Sequence, residues 1–272
     1  MRKVMALILS AAMMFVMCGA FAEGEKTEVI VFAAASLTES LTEIKTLYEE
    51  THPEIELIFS FDSSGTLKTQ IQEGAECDVF ISAAPKQMNQ LDITKDEEKN
   101  PGRLDFVLEG SRIDLLENKV ALVLPDGARK QIGSFDELAE LLRNGEILFA
   151  MGNSDVPVGQ YTQKILAYYE LSEEELAAAG KITYGSNVKE VTTQVKEGAV
   201  DCGVVYATDA FSAGLIITDT ATAEMCGQVI YPAAVMKNSA VPEAAQAFLN
   251  YLREPEASAV FEGIGFTCLG AD

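Results

Sequence analysis

Val31-Phe32-Ala33-Ala34-Ala35-Ser36 is an apolar run that ends in small residues and a hydroxyl, and its pattern recurs three more times along the chain. The other instances are Phe59-Ser60-Phe61-Asp62-Ser63-Ser64-Gly65-Thr66, Ser154-Asp155-Val156-Pro157-Val158-Gly159 and Tyr184-Gly185-Ser186-Asn187-Val188. Each reads as a strand, a tight turn and the first turn of a helix. Helix starts carry backbone N–H groups without intrahelical acceptors, and the positive end of the helix dipole lies there. An anion at such a point meets aligned donors and a favourable field together. In an open α/β sheet, ligands sit beyond the carboxyl ends of the strands, where the helices begin. Two instances fall in each half of the chain, so the four are expected to converge on one cleft between two lobes.

Strands and helices alternate around these turns. Apolar runs at 29–33, 55–61, 78–82, 120–124, 147–151, 182–184 and 203–206 are interleaved with helical periodicity at 37–48, 160–169 and 188–196. The alternation predicts an α/β chain with mainly parallel sheets flanked by helices. The last third differs, with an apolar run at 229–236 and helical segments at 242–252 and 256–261, Pro242 standing near the start of the first. These elements are read as completing the first lobe. A chain that visits lobe one, lobe two and lobe one again crosses twice, and paired crossings make a hinge. The charged segment 92–103 holds Asn100-Pro101-Gly102 and reads as an exposed connection.

Arg2 and Lys3, an apolar stretch at 4–17 and Ala20-Phe21-Ala22 before a charged segment form a secretory signal peptide, residues 1–22. The apolar stretch falls short of the roughly 20 residues a spanning helix needs. Release after Ala22 is the favoured reading; the alternative is Cys18 as the lipidated first residue of a lipoprotein. Either way the protein is exported, to the periplasm or the outer face of the cell membrane. The 272-residue chain carries a formal charge of −22, and loss of the leader takes Arg2 and Lys3 with it. Such acidity argues against nucleic acid or an anionic membrane surface as partner. It also repels anions at long range, so an anion site here must be built locally, from donors and dipoles.

Catalysis finds little support. The one histidine, His52, sits in Thr51-His52-Pro53-Glu54, a surface turn between a helix and a strand. No Gly-x-Ser-x-Gly elbow or Asp-x-Asp spacing is present, and no cofactor or metal-cation site is expected. Cys77, Cys202, Cys226 and Cys268 lack close Cys-x-x-Cys spacing and read as small buried hydrophobes, with their pairing left open. Ser36-Leu37-Thr38-Glu39 fits a capping box, with Glu39 reaching back to the Ser36 N–H, and Ser36 therefore has a structural reading beside a ligand one. Gly65 serves either close backbone approach to a ligand or only the turn.

Residues 31–37, 60–67 and 78–83, Val156-Pro157-Val158-Gly159-Gln160-Tyr161, residues 203–210, 231–235 and 261–266 together resemble the periplasmic molybdate-binding proteins of ATP-driven importers, within the type II solute-binding fold. The resemblance covers nearly the whole chain after residue 22. It implies an oxyanion site of two serines, Ser36 and Ser64, two backbone amides, those of Val158 and Val188, and one tyrosine hydroxyl, Tyr206. Asn187 stands where the family usually has an acidic residue. The resemblance also implies a first lobe of residues 23–118 and 231–272 and a second of 119–230. The implied ligand is molybdate or tungstate. The implied partners are the membrane permease and ATPase of an ABC importer, served by a monomer. The competing reading keeps the fold and changes the solute to sulfate, an amino acid, a metal ion or a small organic anion. An amino acid would need a basic partner for its carboxylate, and the helix-start turns hold no arginine. A structural or signalling ectodomain would keep the fold and lose the transport partners.

Overall fold

The computed structural model describes residues 26–270, so the leader and Cys18 lie outside the described residues. In chain order the strands are β1 (Thr27–Ala34), β2 (Ile55–Asp62), β3 (Val79–Ile81), β4 (Ile113–Asn118), β5 (Val120–Leu124), β6 (Phe149–Gly152), β7 (Ile182–Gly185), β8 (Cys202–Tyr206), β9 (Ile216–Thr220), β10 (Val229–Val235) and β11 (Thr267–Cys268). The helices are α1 (Thr38–Thr51), α2 (Ser64–Gln72), α3 (Pro85–Asn89), α4 (Phe135–Arg143), α5 (Pro157–Tyr168), α6 (Glu173–Ala178), α7 (Val188–Lys196), α8 (Ala207–Ala213), α9 (Ala223–Cys226), α10 (Pro242–Tyr251) and α11 (Pro255–Ile264). They flank two sheets, ordered β11-β4-β10-β3-β1-β2 and β7-β6-β8-β5-β9. Among the described residues no helix is long and apolar enough to cross a membrane.

Each sheet has a parallel part that carries the helix-start turns: β2, β1 and β3 in the first, β7, β6 and β8 in the second. Parallel strands are covered on both faces, which is why β1 reads as a continuous apolar run with Val29, Val31, Phe32 and Ala33 all buried. The other strands depart from the mainly parallel expectation: β10 runs antiparallel to β3 and β4, β11 to β4, and β5 to β8 and β9. The reason is connectivity. Only Lys119 separates β4 in the first sheet from β5 in the second, so β5 enters the second sheet at the end where β8 finishes, Val120 opposite Tyr206, and runs against it. The chain returns to the first sheet after β9, and β10 pairs there from Val229 opposite Asn118.

Packing fixes the helices that point at the cleft. On α7, Val188, Val191, Thr192 and Val195 are buried in a stripe of helical period. Each fully buried valine contributes roughly 1.5–3 kcal/mol, enough to hold the rotation of the helix and so the direction of its first N–H groups. At α5, Gly159 allows the helix to sit directly on the end of β6: a Cβ there would stand 2.3 Å from the carbonyl oxygens of both Gly152 and Asn153.

Two local expectations are corrected. The 92–103 connection is not wholly exposed, because Asp92 and Asn100 are buried. The Asn100 amide donates to Asp92 O (3.0 Å) and Leu104 O (2.8 Å) and accepts from Leu104 N–H (3.0 Å), a polar pin for loop backbone that would otherwise lack partners. The capping box at Ser36 does not form. Residues Ala35–Leu37 make a 3-10 turn, α1 begins only at Thr38, and neither start has a side-chain cap. Among the described residues the four cysteines, Cys77, Cys202, Cys226 and Cys268, are free, and the first three are buried. His52 caps the end of α1 and stacks on Tyr48, ring centroids 4.2 Å apart.

Candidate functional site

The residues that the sequence places at helix starts meet at one point between the two sheets. A single cavity of ≈ 10 Å³ is lined by Ser36, Ser64 and Ala83 from the first sheet's connections and by Val158, Val188 and Tyr206 from the second's. That is about the room for one water. Larger depressions, of ≈ 330 Å³ beside Cys77 and ≈ 640 Å³ between Lys86 and Lys164, touch none of these five predicted residues.

Helix capping explains which donors are free. At α2 the N-cap is Ser63, whose oxygen accepts from Thr66 N–H at 3.1 Å. Ser64 is therefore the first helical residue, with its hydroxyl left over. That hydroxyl accepts from Ala83 N–H at 2.9 Å, which leaves its own proton to donate. At α7 the N-cap is Asn187, whose side chain accepts from Glu190 N–H at 3.0 Å. The cap takes the third N–H of the helix and leaves that of Val188, the first, without an intrahelical acceptor. At α5, Val156 is the N-cap, Pro157 has no N–H to satisfy, and Val158 supplies the first donor of the helix.

Ser36 is oriented from further away. Its Oγ lies 3.0 Å from the hydroxyl of Tyr231 on β10, and Asn118 Nδ2 at the end of β4 lies 3.2 Å from the same hydroxyl. Asn118 Oδ1 accepts from Lys119 N–H at 2.8 Å, so the amide must present its NH₂ to Tyr231 and to Thr208 Oγ1, 2.9 Å away. Tyr231 oxygen accepts from Asn118, and either hydroxyl can donate across the Ser36–Tyr231 contact; an anion in the cavity that accepts from Ser36 requires Tyr231 to be the donor there. The Ser36 proton is then free for the cavity. This relay runs from the point where the chain leaves the first sheet to the cavity wall. Tyr231→Phe is expected to lower oxyanion affinity about fivefold, the net worth of roughly one hydrogen bond, with titration calorimetry as the check.

Tyr206 ends β8 and is the N-cap position of α8. Its hydroxyl donates to Ala83 O at 3.3 Å, and its ring meets Tyr231 edge-on with centroids 5.7 Å apart. Burial pushes the phenol well above its ordinary pKa, so it stays a donor. Asp62 also lines the cavity, but its Oδ1 accepts from Ser63 N–H at 2.6 Å. Sequence reading missed Asn118 and Tyr231 as functional: they lie 113 residues apart and meet only through sheet pairing, so no spacing announces them.

Two α/β units with a donor-lined cavity between them define the two-lobe class of solute-binding proteins. The chain belongs to the bacterial extracellular solute-binding proteins, whose family model matches residues 29–267. It is 34% identical over 245 residues to YvgL of Bacillus subtilis, named as a candidate substrate-binding lipoprotein of an ABC transporter, covering 89% of this chain and 87% of that one. It is 30% identical over 256 residues to the molybdate-binding protein ModA of Haemophilus influenzae, covering 91% and 92% respectively. The periplasmic molybdate-binding protein of Azotobacter vinelandii shares the fold, with a TM-score of 0.72 at 24% identity over 88% of this chain and 98% of that one. The family and these relatives are transport proteins that bind substrate, not enzymes, and what they bind is a ligand rather than a cofactor.

Proposed function

We propose that this protein captures molybdate or tungstate outside the cytoplasmic membrane and delivers it to the permease and ATPase of an ABC importer. The observation that carries this reading is the meeting of Ser36, Ser64, Val158, Val188 and Tyr206 around one small cavity. Two hydroxyls with protons to donate and two helix-start amides suit a fully ionised tetrahedral anion. Phosphate carries a proton at neutral pH and so needs an acceptor as well as these donors. An anion taken up on Ser36 and Ser64 of one lobe would receive the amides and Tyr206 of the other on closure. Several aligned donors must replace its water, because desolvating a dianion is costly.

Titration calorimetry of residues 23–272, stripped of ligand, against molybdate, tungstate, sulfate and phosphate tests the assignment. One-to-one binding of molybdate and tungstate, with sulfate much weaker and phosphate silent, is the expected result. Preference for sulfate would move the protein to the competing solute. Silence toward molybdate and tungstate would remove the proposal.

A further inference from the structure

Lys189, the second residue of α7, stands beside the Val188 N–H, and its ammonium spans both lobes. Nζ lies 2.8 and 2.7 Å from the two Glu39 carboxylate oxygens on the first turn of α1 and 3.0 Å from Asp209 Oδ1 on the first turn of α8. Asp209 is fully buried, and neither of its oxygens has an aligned hydrogen bond. A buried carboxylate in that condition is expensive unless a cation stays with it. Burial pushes the Asp209 carboxyl up to about 6 against the opposing pull of Lys189. Burial lowers Lys189 in turn, but Asp209 and Glu39 outweigh it and hold the ammonium above the ordinary lysine range.

The three groups divide unequally between the lobes. Lys189 and Asp209 belong to the second, on α7 and α8, whereas Glu39 belongs to the first, on α1. We propose that Glu39, Lys189 and Asp209 form a closure latch, in which Asp209 holds Lys189 in place and Glu39 engages it only when the lobes meet, slowing release of the bound anion. Ordinary exposed ion pairs contribute little, largely because two long side chains must be ordered. Here Asp209 has already ordered the lysine, and both Glu39 oxygens face one ammonium. The latch also places a cation between carboxylates of opposing lobes in a chain of formal charge −22. Lys189 is a positioning residue: its ammonium is taken up by Glu39 and Asp209. The inference rests on the cleft reading above.

Stopped-flow tyrosine fluorescence with molybdate separates association from dissociation. Lys189→Gln and Glu39→Gln are each expected to raise the dissociation rate roughly threefold to tenfold and leave association within about twofold. The double variant should match the singles, and Lys189→Arg should restore most of the slow release. Unchanged dissociation in both singles, additive losses in the double variant, or failure of arginine to rescue overturns the latch. If the parent binds neither molybdate nor tungstate, the functional reading alone has failed. The latch is then read by small-angle scattering of the ligand-free proteins: both single variants must show a larger radius of gyration than the parent, and equal radii overturn it.

Discussion

Ser64→Ala is expected to weaken molybdate binding by roughly tenfold to more than a hundredfold, the equivalent of about 1.5–3 kcal/mol for a hydrogen bond to a charged partner. The substitution removes one donor to the dianion and at the same time strands the Ala83 N–H that Ser64 Oγ accepts at 2.9 Å. Ser64 is fully buried, so water does not replace the lost hydroxyl cheaply. Ser63 next to it supplies the control. Its oxygen is committed to Thr66 N–H as the helix cap, so Ser63→Ala should cost stability of about 1 kcal/mol and leave affinity comparatively intact. Calorimetry and thermal denaturation of the two variants separate these outcomes. A Ser64→Ala protein that binds as tightly as the parent would remove Ser64 from the site.

Gly65→Ala should damage binding by a different route. A Cβ on Gly65 would stand 2.2 Å from the backbone oxygen of Asp155. Gly65 lies in the first turn of α2 and Asp155 in the loop between β6 and α5, so this close approach joins the two lobes. Backbone does not yield as a flexible side chain would, and overpacking of this kind costs about 1–3 kcal/mol, or roughly fivefold to more than a hundredfold in affinity. The penalty falls on the closed form, so the loss in affinity is expected to exceed the loss in stability of the ligand-free protein, which closes only part of the time. Equal losses in both would mean that Gly65 serves its own turn rather than closure. The sequence left Gly65 with two roles, close approach to a ligand or the turn alone, and the Asp155 contact adds a third that the sequence did not offer, close approach between lobes.

Much of this molecule was legible because strand ends and helix starts leave local marks. Ser63-Ser64-Gly65, Pro157-Val158-Gly159 and Asn187-Val188 each announce a helix N-terminus in a few residues, and the rule for open sheets predicts that such termini gather at one cleft. What stayed hidden is contact between distant segments. Ser36 and Tyr231 are 195 residues apart, and Glu39 and Lys189 are 150 apart. Glu39 also shows how a local pattern misleads. Its spacing from Ser36 fits a capping box, but the 3-10 turn at Ala35–Leu37 shifts the helix start, and the carboxylate pairs with Lys189 instead. The antiparallel strands were missed for a related reason: apolar runs reveal strands but not the direct step at Lys119 that reverses their direction.

The central claim is that Ser36, Ser64, Val158, Val188 and Tyr206 hold one oxyanion. A crystal structure of the protein grown with tungstate, with diffraction collected at an absorption edge of the metal, tests it most directly. The account predicts one strong anomalous peak between the two sheets, with tungstate oxygens within hydrogen-bond distance of Ser36 Oγ, Ser64 Oγ, Val158 N, Val188 N and the Tyr206 hydroxyl. A peak elsewhere, or a tungstate held by other groups, would contradict it.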